Sequence, residues 1–409
     1  MYLNDEEKRM LDGDFGSGTA EAMKLQVALG EAFDAERMVE ISRAHVSLAH
    51  YPSDVWYTAK LAAGGARCRI HPTCNPLYDL HYLENVGIRD PANEAELLRN
   101  LKETFLKLGI ILTYSCTPEI QSNVPRFGEY VAFAESSATP YVNAVCGARS
   151  NRESAKSALA AAITGRAPLY GYLLEENRYG NVLIEVETPI NDDFDYHLLG
   201  YAASHKMGAG VPVFTGMPMK PSPEELVCFG AQLATGGSVA MYHIVGVTPE
   251  ASDLETAFGG KTPEKKLIIT DRDLQKTQEL LSHGSGRIEF VMLGCPHYSI
   301  GQVAEVAQLL EGNKIHPEIA FWVLTSPDTR ELADRMGYLD IINRAGGHII
   351  GGTCADISCW YGLYSGKVGV TDSVKAAYYT PRVDMNFQLK RRDECVEIAL
   401  RGGEALPWE

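Results

Sequence analysis

The sequence predicts an α/β protein with largely parallel sheets, and three observations carry that prediction. Short runs rich in Val and Ile alternate with amphipathic helical stretches along almost the whole chain. Those runs read as buried strands, because they are strongly apolar and bounded by Gly, Pro or polar turns. With 409 residues, 45% of them hydrophobic, the chain is long enough for two to three domains, each with a core.

The elements follow in order. Leu97, Leu98, Leu101, Phe105 and Leu108 form an apolar stripe behind Asn93, and Glu96 completes a capping-box pattern with it. Strands are predicted at Ile110–Tyr114, Val182–Val186 and Val211–Phe214. Ser222 opens a helix, with Pro223 in its first turn and Glu225 three residues after the cap. Further strands are predicted at Val239–Val245, Leu267–Ile269, Ile288–Leu293 and Ala320–Leu324. Ser326-Pro327-Asp328 opens another helix, and His348–Ile350 is a last strand. Polar stretches at Gln121–Gly128 and Gly259–Lys266 place boundaries that divide the chain into 1–125, 126–262 and 263–409.

Charge and composition narrow the function. With 37 basic and 53 acidic side chains the net charge is −16, which argues against a nucleic-acid groove or an anionic membrane surface. No window approaches the roughly 18 apolar residues of a membrane span. The segment Met1 to Asp14 is acidic and lacks an apolar signal core, so a cytoplasmic protein is expected. Nine cysteines, an odd number in a large acidic chain, suggest buried thiols, metal ligands or a nucleophile rather than a disulfide framework.

Ligands in open α/β sheets gather at the carboxyl ends of strands, and three cysteines are predicted there. Cys116 lies in Thr113-Tyr-Ser-Cys-Thr-Pro118, Cys295 in Gly294-Cys-Pro-His297 and Cys354 in Gly351-Gly-Thr-Cys-Ala-Asp356. Three thiolates from separate loops can hold an iron–sulfur cluster and leave one iron open as a Lewis acid. The plainer alternative is three small buried side chains. The stretch Glu135–Glu153 is unusually polar: Glu135, Ser136, Ser137, Asn143, Arg149, Asn151 and Arg152 sit between two apolar elements. Its two arginines could take a carboxylate or phosphate, or the whole could be a capped loop held by an Arg–Glu network. His243, inside a strand-like run, suits a hydrogen-bonded core, and Lys375 suits an anion contact or a helix-face charge. Gly13-Asp-Phe-Gly-Ser-Gly18 has no preceding strand, so it is a poor dinucleotide loop.

At these residues the sequence resembles aconitase X, an outlying branch of the aconitase superfamily. The likeness runs from Asp12-Gly13, Ala44-His45 and Asn75-Pro76 through Ser115-Cys-Thr-Pro118, Ala134-Glu-Ser-Ser-Ala138 and Gly147-Ala-Arg-Ser-Asn-Arg-Glu153. It continues through His243-Ile-Val-Gly-Val-Thr-Pro-Glu-Ala251 and Gly294-Cys-Pro-His297 to Thr371-Asp-Ser-Val-Lys375. The resemblance implies three α/β domains around a central cleft and a hydro-lyase that depends on iron or an iron–sulfur cluster, with Cys116, Cys295 and Cys354 as ligands. Its substrate would be a small hydroxy acid: cis-3-hydroxy-L-proline, giving Δ1-pyrroline-2-carboxylate, or alternatively mevalonate 5-phosphate. Hydroxyproline is preferred, because a cysteine-rich composition suits a mesophilic bacterium.

The resemblance further implies that Asn75, Glu135, Ser136, Ser137, Asn143, Arg149, Asn151 and Arg152 position the acid, that Lys375 contacts a second anionic group, and that His45 and His297 are acids or supporting groups. It implies a separate small swivelling subunit that supplies a serine base. Glu119, Phe133 and Asn143-Ala-Val-Cys146 depart from the family pattern, which bears on the substrate rather than the fold. A reading of another class is an iron–sulfur sensor or scaffold without catalysis, and a structural zinc protein is a third.

Overall fold

The computed structural model describes residues 1–90 and 92–403. Its strands form three mostly parallel sheets covered by helices, as the apolar runs predict. The first sheet orders Thr73–Cys74, Arg43–Val46 and Val131–Phe133, all parallel. Beside it Met38–Glu40 pairs antiparallel with Arg166–Pro168. The second orders His243–Ile244, Pro212–Thr215, Val182–Val186 and Lys265–Ile269, again parallel. The third is the largest: His348–Gly351, Ala320–Thr325, Phe290–Tyr298, Val368–Thr371 and Asn386–Leu389 run in parallel with Phe290–Tyr298 at the centre.

The pairings depart from the division at residue 125. Val131–Phe133 and Arg166–Pro168 lie beyond that point, yet they pair with Arg43–Val46 and Met38–Glu40. The first structural unit therefore runs past residue 168, because strands of three or four residues carry no period that marks which sheet they join.

Local chemistry sets the helix ends. Ser222 caps Pro223–Gly237 in a capping box with Glu225, and Ser326 caps Pro327–Arg335 by accepting from the Thr329 amide at 3.1 Å. The helix Ala95–Leu108 begins differently from the prediction. Asn93 sits at φ 55°, and the Asp90 carboxylate takes the Glu94 and Ala95 amides instead, at 2.9 and 3.2 Å. The strand predicted at Ile110–Tyr114 is also absent; only Ile111 bridges to Thr73. The Thr113 hydroxyl occupies the Cys74 amide and carbonyl, and Tyr114 turns to φ 44°, which ends any ladder. Of Val239–Val245, only His243–Ile244 is strand.

Two helices seat the second sheet: Asp193–Met207 packs closely on Pro223–Gly237. A Cβ at Gly200 would lie 2.6 Å from the Phe229 carbonyl, so only glycine allows that approach. Trp360, Phe229, Phe290 and Phe387 are fully buried and anchor the core. Among the described residues no helix is long and apolar enough to cross a membrane.

Candidate active site

Three loops bring Cys116, Cys295 and Cys354 to one cavity of about 190 Å³ between the first and third sheets. Cys295 sits inside the central strand Phe290–Tyr298, where the register with Ala320–Thr325 breaks between Leu293 and Tyr298. Gly294, at φ 99°, makes the break possible, since a Cβ there would meet the Leu324 carbonyl at 2.1 Å. Cys354 follows His348–Gly351, and its amide donates to the Leu77 carbonyl at 3.1 Å, which ties the loop to the first unit. Cys116 follows no strand. It is held because its carbonyl accepts from the Ser137 hydroxyl at 2.9 Å and its sulfur from the His297 amide at 3.3 Å. The Cys354 sulfur likewise accepts from the Asp356 amide at 3.4 Å.

All three thiols are free. Burial pushes Cys295 up to about 11, Cys354 up to about 12 and Cys116 well above the ordinary thiol range. Without a metal they are therefore protonated at neutral pH, and metal binding must release protons. Among the described residues no three His, Cys, Asp or Glu side chains lie close enough to share a single ion. Three thiols lining one cavity, two of them already braced by backbone amides, fit an iron–sulfur group that they would hold there.

Opposite the cysteines lies a buried ion pair. Lys375, at the start of the helix Val374–Tyr379, donates to Glu135 Oε1 at 2.8 Å. Ser136 Oγ, the Ser137 amide and Ser137 Oγ also reach Oε1, at 3.0, 3.2 and 3.1 Å, and Asn75 donates to Oε2. Burial alone would raise the Glu135 pKa, but the Lys375 charge and these donors together hold it well below the carboxylate range. Burial likewise opposes the charge on Lys375, and the Glu135 carboxylate outweighs it and pushes that pKa up.

A chain of hydrogen bonds runs back from this pair. Asn75 Oδ1 accepts from His45 Nε2 at 2.7 Å, so His45 Nδ1 accepts from the Thr73 hydroxyl at 2.7 Å, and Thr73 accepts from Asn123 at 2.9 Å. Burial brings His45 down to about 4, so it is a neutral link at physiological pH. His297 is also buried and brought down to about 4. Its Nε2–H donates to the Thr353 carbonyl at 2.9 Å, which leaves Nδ1 a bare lone pair without a partner among the described residues.

The predicted site residues thus separate into groups. Cys116, Cys295, Cys354, Asn75, Glu135, Ser136, His297 and Lys375 line the cavity. His45 and Ser137 stand directly behind it. Asn143, Arg149, Asn151 and Arg152 do not reach it. Asn143 is spent on the Ser150 backbone and the Ala240 carbonyl, and Asn151 on the Tyr170 carbonyl and Tyr172 amide. Arg149 turns to the Leu173 carbonyl and Glu175, and Arg152 is exposed. Residues 149 and 152 bridge to Tyr130 and Phe133, which lays this segment along the outside of the first sheet.

Sequence reasoning missed Asp356 and Tyr379, which also line the cavity. Asp356 stands two residues after a cysteine already singled out, and that proximity was its signal. A larger cavity of about 640 Å³, lined by Leu77, Tyr114 and Gly352 among others, contains none of the cysteines. Chemistry rather than volume selects the smaller one.

Comparison with known proteins gives the family and supports the fold. Models of the first, second and third domains of aconitase X match residues 1–176, 180–279 and 288–401. The phosphomevalonate dehydratase large subunit of Methanothermobacter thermautotrophicus is 38% identical over 93% of this chain and 94% of its own. The cis-3-hydroxy-L-proline dehydratase of Pseudomonas aeruginosa is 33% identical over 98% of this chain and 70% of its own. A crystal structure of Thermococcus kodakaraensis aconitase X in its holo-form superposes with a TM-score of 0.86 at 31% identity, covering 98% of this chain and all of that one.

Proposed function

The chain belongs to the aconitase X family, whose relatives above are dehydratases, and from that premise we propose that it dehydrates cis-3-hydroxy-L-proline to Δ1-pyrroline-2-carboxylate. The observation that carries the substrate is the charge of the cavity. Among its described lining residues the cation is Lys375, already paired with Glu135, while Arg149 and Arg152 lie elsewhere. A phosphate dianion needs more donors than that, and a small zwitterionic acid does not.

Cys116, Cys295 and Cys354 would hold an iron–sulfur group. When bound, that group supplies a Lewis acid for a carboxylate and a leaving hydroxyl. The remaining work falls to this chain's side chains. Lys375 keeps N–H donors beyond the one given to Glu135, and with Ser136 it orients the substrate carboxylate. Glu135, fixed by Asn75 and Ser137, keeps Lys375 charged and in place. The His297 Nδ1 lone pair accepts a hydrogen bond from the substrate hydroxyl and so orients it. Loss of the α-proton and of the 3-hydroxyl gives an enamine, which tautomerises to the cyclic imine.

No cavity residue stands out as the base for the α-proton. With relatives named as large subunits, this supports a separate small subunit that closes over the cavity and provides it.

A second reading, dehydration of mevalonate 5-phosphate, is favoured by the higher identity to a phosphomevalonate dehydratase large subunit. Anaerobic protein purified from its own cells, so that any small subunit stays attached, separates the two. Imine formation from cis-3-hydroxy-L-proline, with Lys375→Gln losing at least roughly 100-fold in kcat/KM, is the expected result. Turnover of mevalonate 5-phosphate alone would replace it with the second reading.

A further inference from the structure

We propose that Asp356 is a substrate-binding residue that recognises a protonated amine, which makes the substrate of this cavity an amino or imino acid rather than a phosphorylated acid. The inference rests on the hydroxyproline reading and adds the group that would select for it.

Two carboxylates face the cavity, and they differ in what remains free. Glu135 has both oxygens taken by Lys375, Asn75 and the two serines. Asp356 is held at one oxygen only. Its Oδ1 accepts from Arg382 Nη1 at 2.7 Å and from the Tyr361 hydroxyl at 3.1 Å. Arg382 also donates to Tyr361 Oη at 3.2 Å and to the Tyr379 carbonyl at 2.7 Å, so the three side chains brace one another. No protein donor reaches Oδ2 among the described residues, the side chain is 22% exposed, and it lines the cavity.

A carboxylate fixed on one oxygen and open on the other is a directed acceptor. An N–H of a substrate ammonium would complete it with a charge-assisted bond. The same open oxygen repels a dianionic phosphate, so one residue both attracts one substrate class and rejects the other. Lys375, Ser136 and Asp356 line one small cavity, so an acid's carboxylate on the first two and its ammonium on the third can be held together.

The test uses two non-reacting probes on the anaerobically reconstituted complex, by calorimetry at pH 7. L-Proline carries the ammonium; cyclopentanecarboxylate has the same ring and carboxylate without nitrogen. We expect L-proline to bind roughly 10- to 100-fold more tightly, the range of one hydrogen bond to a charged group. Asp356→Asn, which keeps the acceptor for Arg382 and Tyr361, should abolish that preference by weakening L-proline alone. Equal affinity of the two probes for the wild type would overturn the proposal, and that comparison stands even if the variant loses its iron. A preference that persists in an iron-replete variant would overturn it as well. Failure of the proposed reaction reads differently: a complex that prefers L-proline through Asp356 yet leaves cis-3-hydroxy-L-proline intact would refute the substrate and keep the amine site.

Discussion

Glu135 and Lys375 carry opposite charges at 8% and 15% exposure, and each holds the other ionised. Removing one partner strands the other in a poor dielectric, so Lys375→Gln should cost about 3–5 kcal/mol of stability as well as activity. Denaturant unfolding at pH 7 measures it. The sign with pH follows from Glu135: its folded pKa lies below the unfolded one, so its contribution is complete above the ordinary carboxylate range and fades as acid approaches the folded value. Glu119 shows the reverse. It is 1% exposed, neither oxygen has a partner among the described residues, and burial pushes it up to about 8. Between its ordinary 4.5 and about 8 the folded state holds a proton that the unfolded state has lost, so stability declines as pH rises through that window. Glu119→Gln should therefore unfold at a higher temperature than the wild type at pH 8, with little difference at pH 5. At this scale loop chemistry and family motifs mark the three cysteines, Glu135 and Lys375, and the structure brings them to one cavity. Asn143, Arg149, Asn151 and Arg152 were misplaced, because a polar stretch does not reveal whether its donors face a ligand or their own backbone.

The helices were legible where a local rule sets them. Ser222 and Ser326 cap as their sequences predict, since a cap needs only a hydroxyl and an amide three residues on. Ser326→Ala should cost about 1 kcal/mol, seen as a lower midpoint in urea with an unchanged slope. The helix at Ala95–Leu108 shows the limit: its stripe was right, but Asp90 rather than Asn93 satisfies the first amides. The short strands of the first sheet were not legible. Thr73–Cys74, Arg43–Val46 and Val131–Phe133 are too short to show a period and form only because distant segments pair. The same limit produced the false strand at Ile110–Tyr114, where Thr113 bonds Cys74 through its hydroxyl instead of extending a ladder.

Across the whole molecule, the cavity exists only when the first and third units meet. Asn75, Cys116 and Glu135 come from one, and Cys295, Cys354, Asp356 and Lys375 from the other. The second unit is fastened to the third by Arg391 on Asp195 and by Arg392 on Asp193, beneath Asp372 and Tyr298. Buried neutral histidines tie the assembly to pH. His45 and His197, both brought down to about 4 by burial, take up protons on unfolding below their ordinary 6.5. The contribution of these histidines should thus be full above pH 6.5 and fall steadily towards pH 4, as thermal melts of the Glu119→Gln variant, free of the opposing Glu119 proton, would show across that range. The α/β class and the parallel sheets were legible in the alternation of apolar runs and helices. The sheet boundaries were not, since they are set by pairings more than a hundred residues apart.

The central claim is that Cys116, Cys295 and Cys354 together hold the iron–sulfur group at this cavity. Iron and acid-labile sulfide per chain after anaerobic purification, in the wild type and in Cys354→Ala, test it most directly. Both are expected in the wild type and both should be lost in the variant, with the fold kept as judged by circular dichroism. Iron and sulfide retained undiminished by Cys354→Ala, or absent from the wild type even after reconstitution, would contradict it.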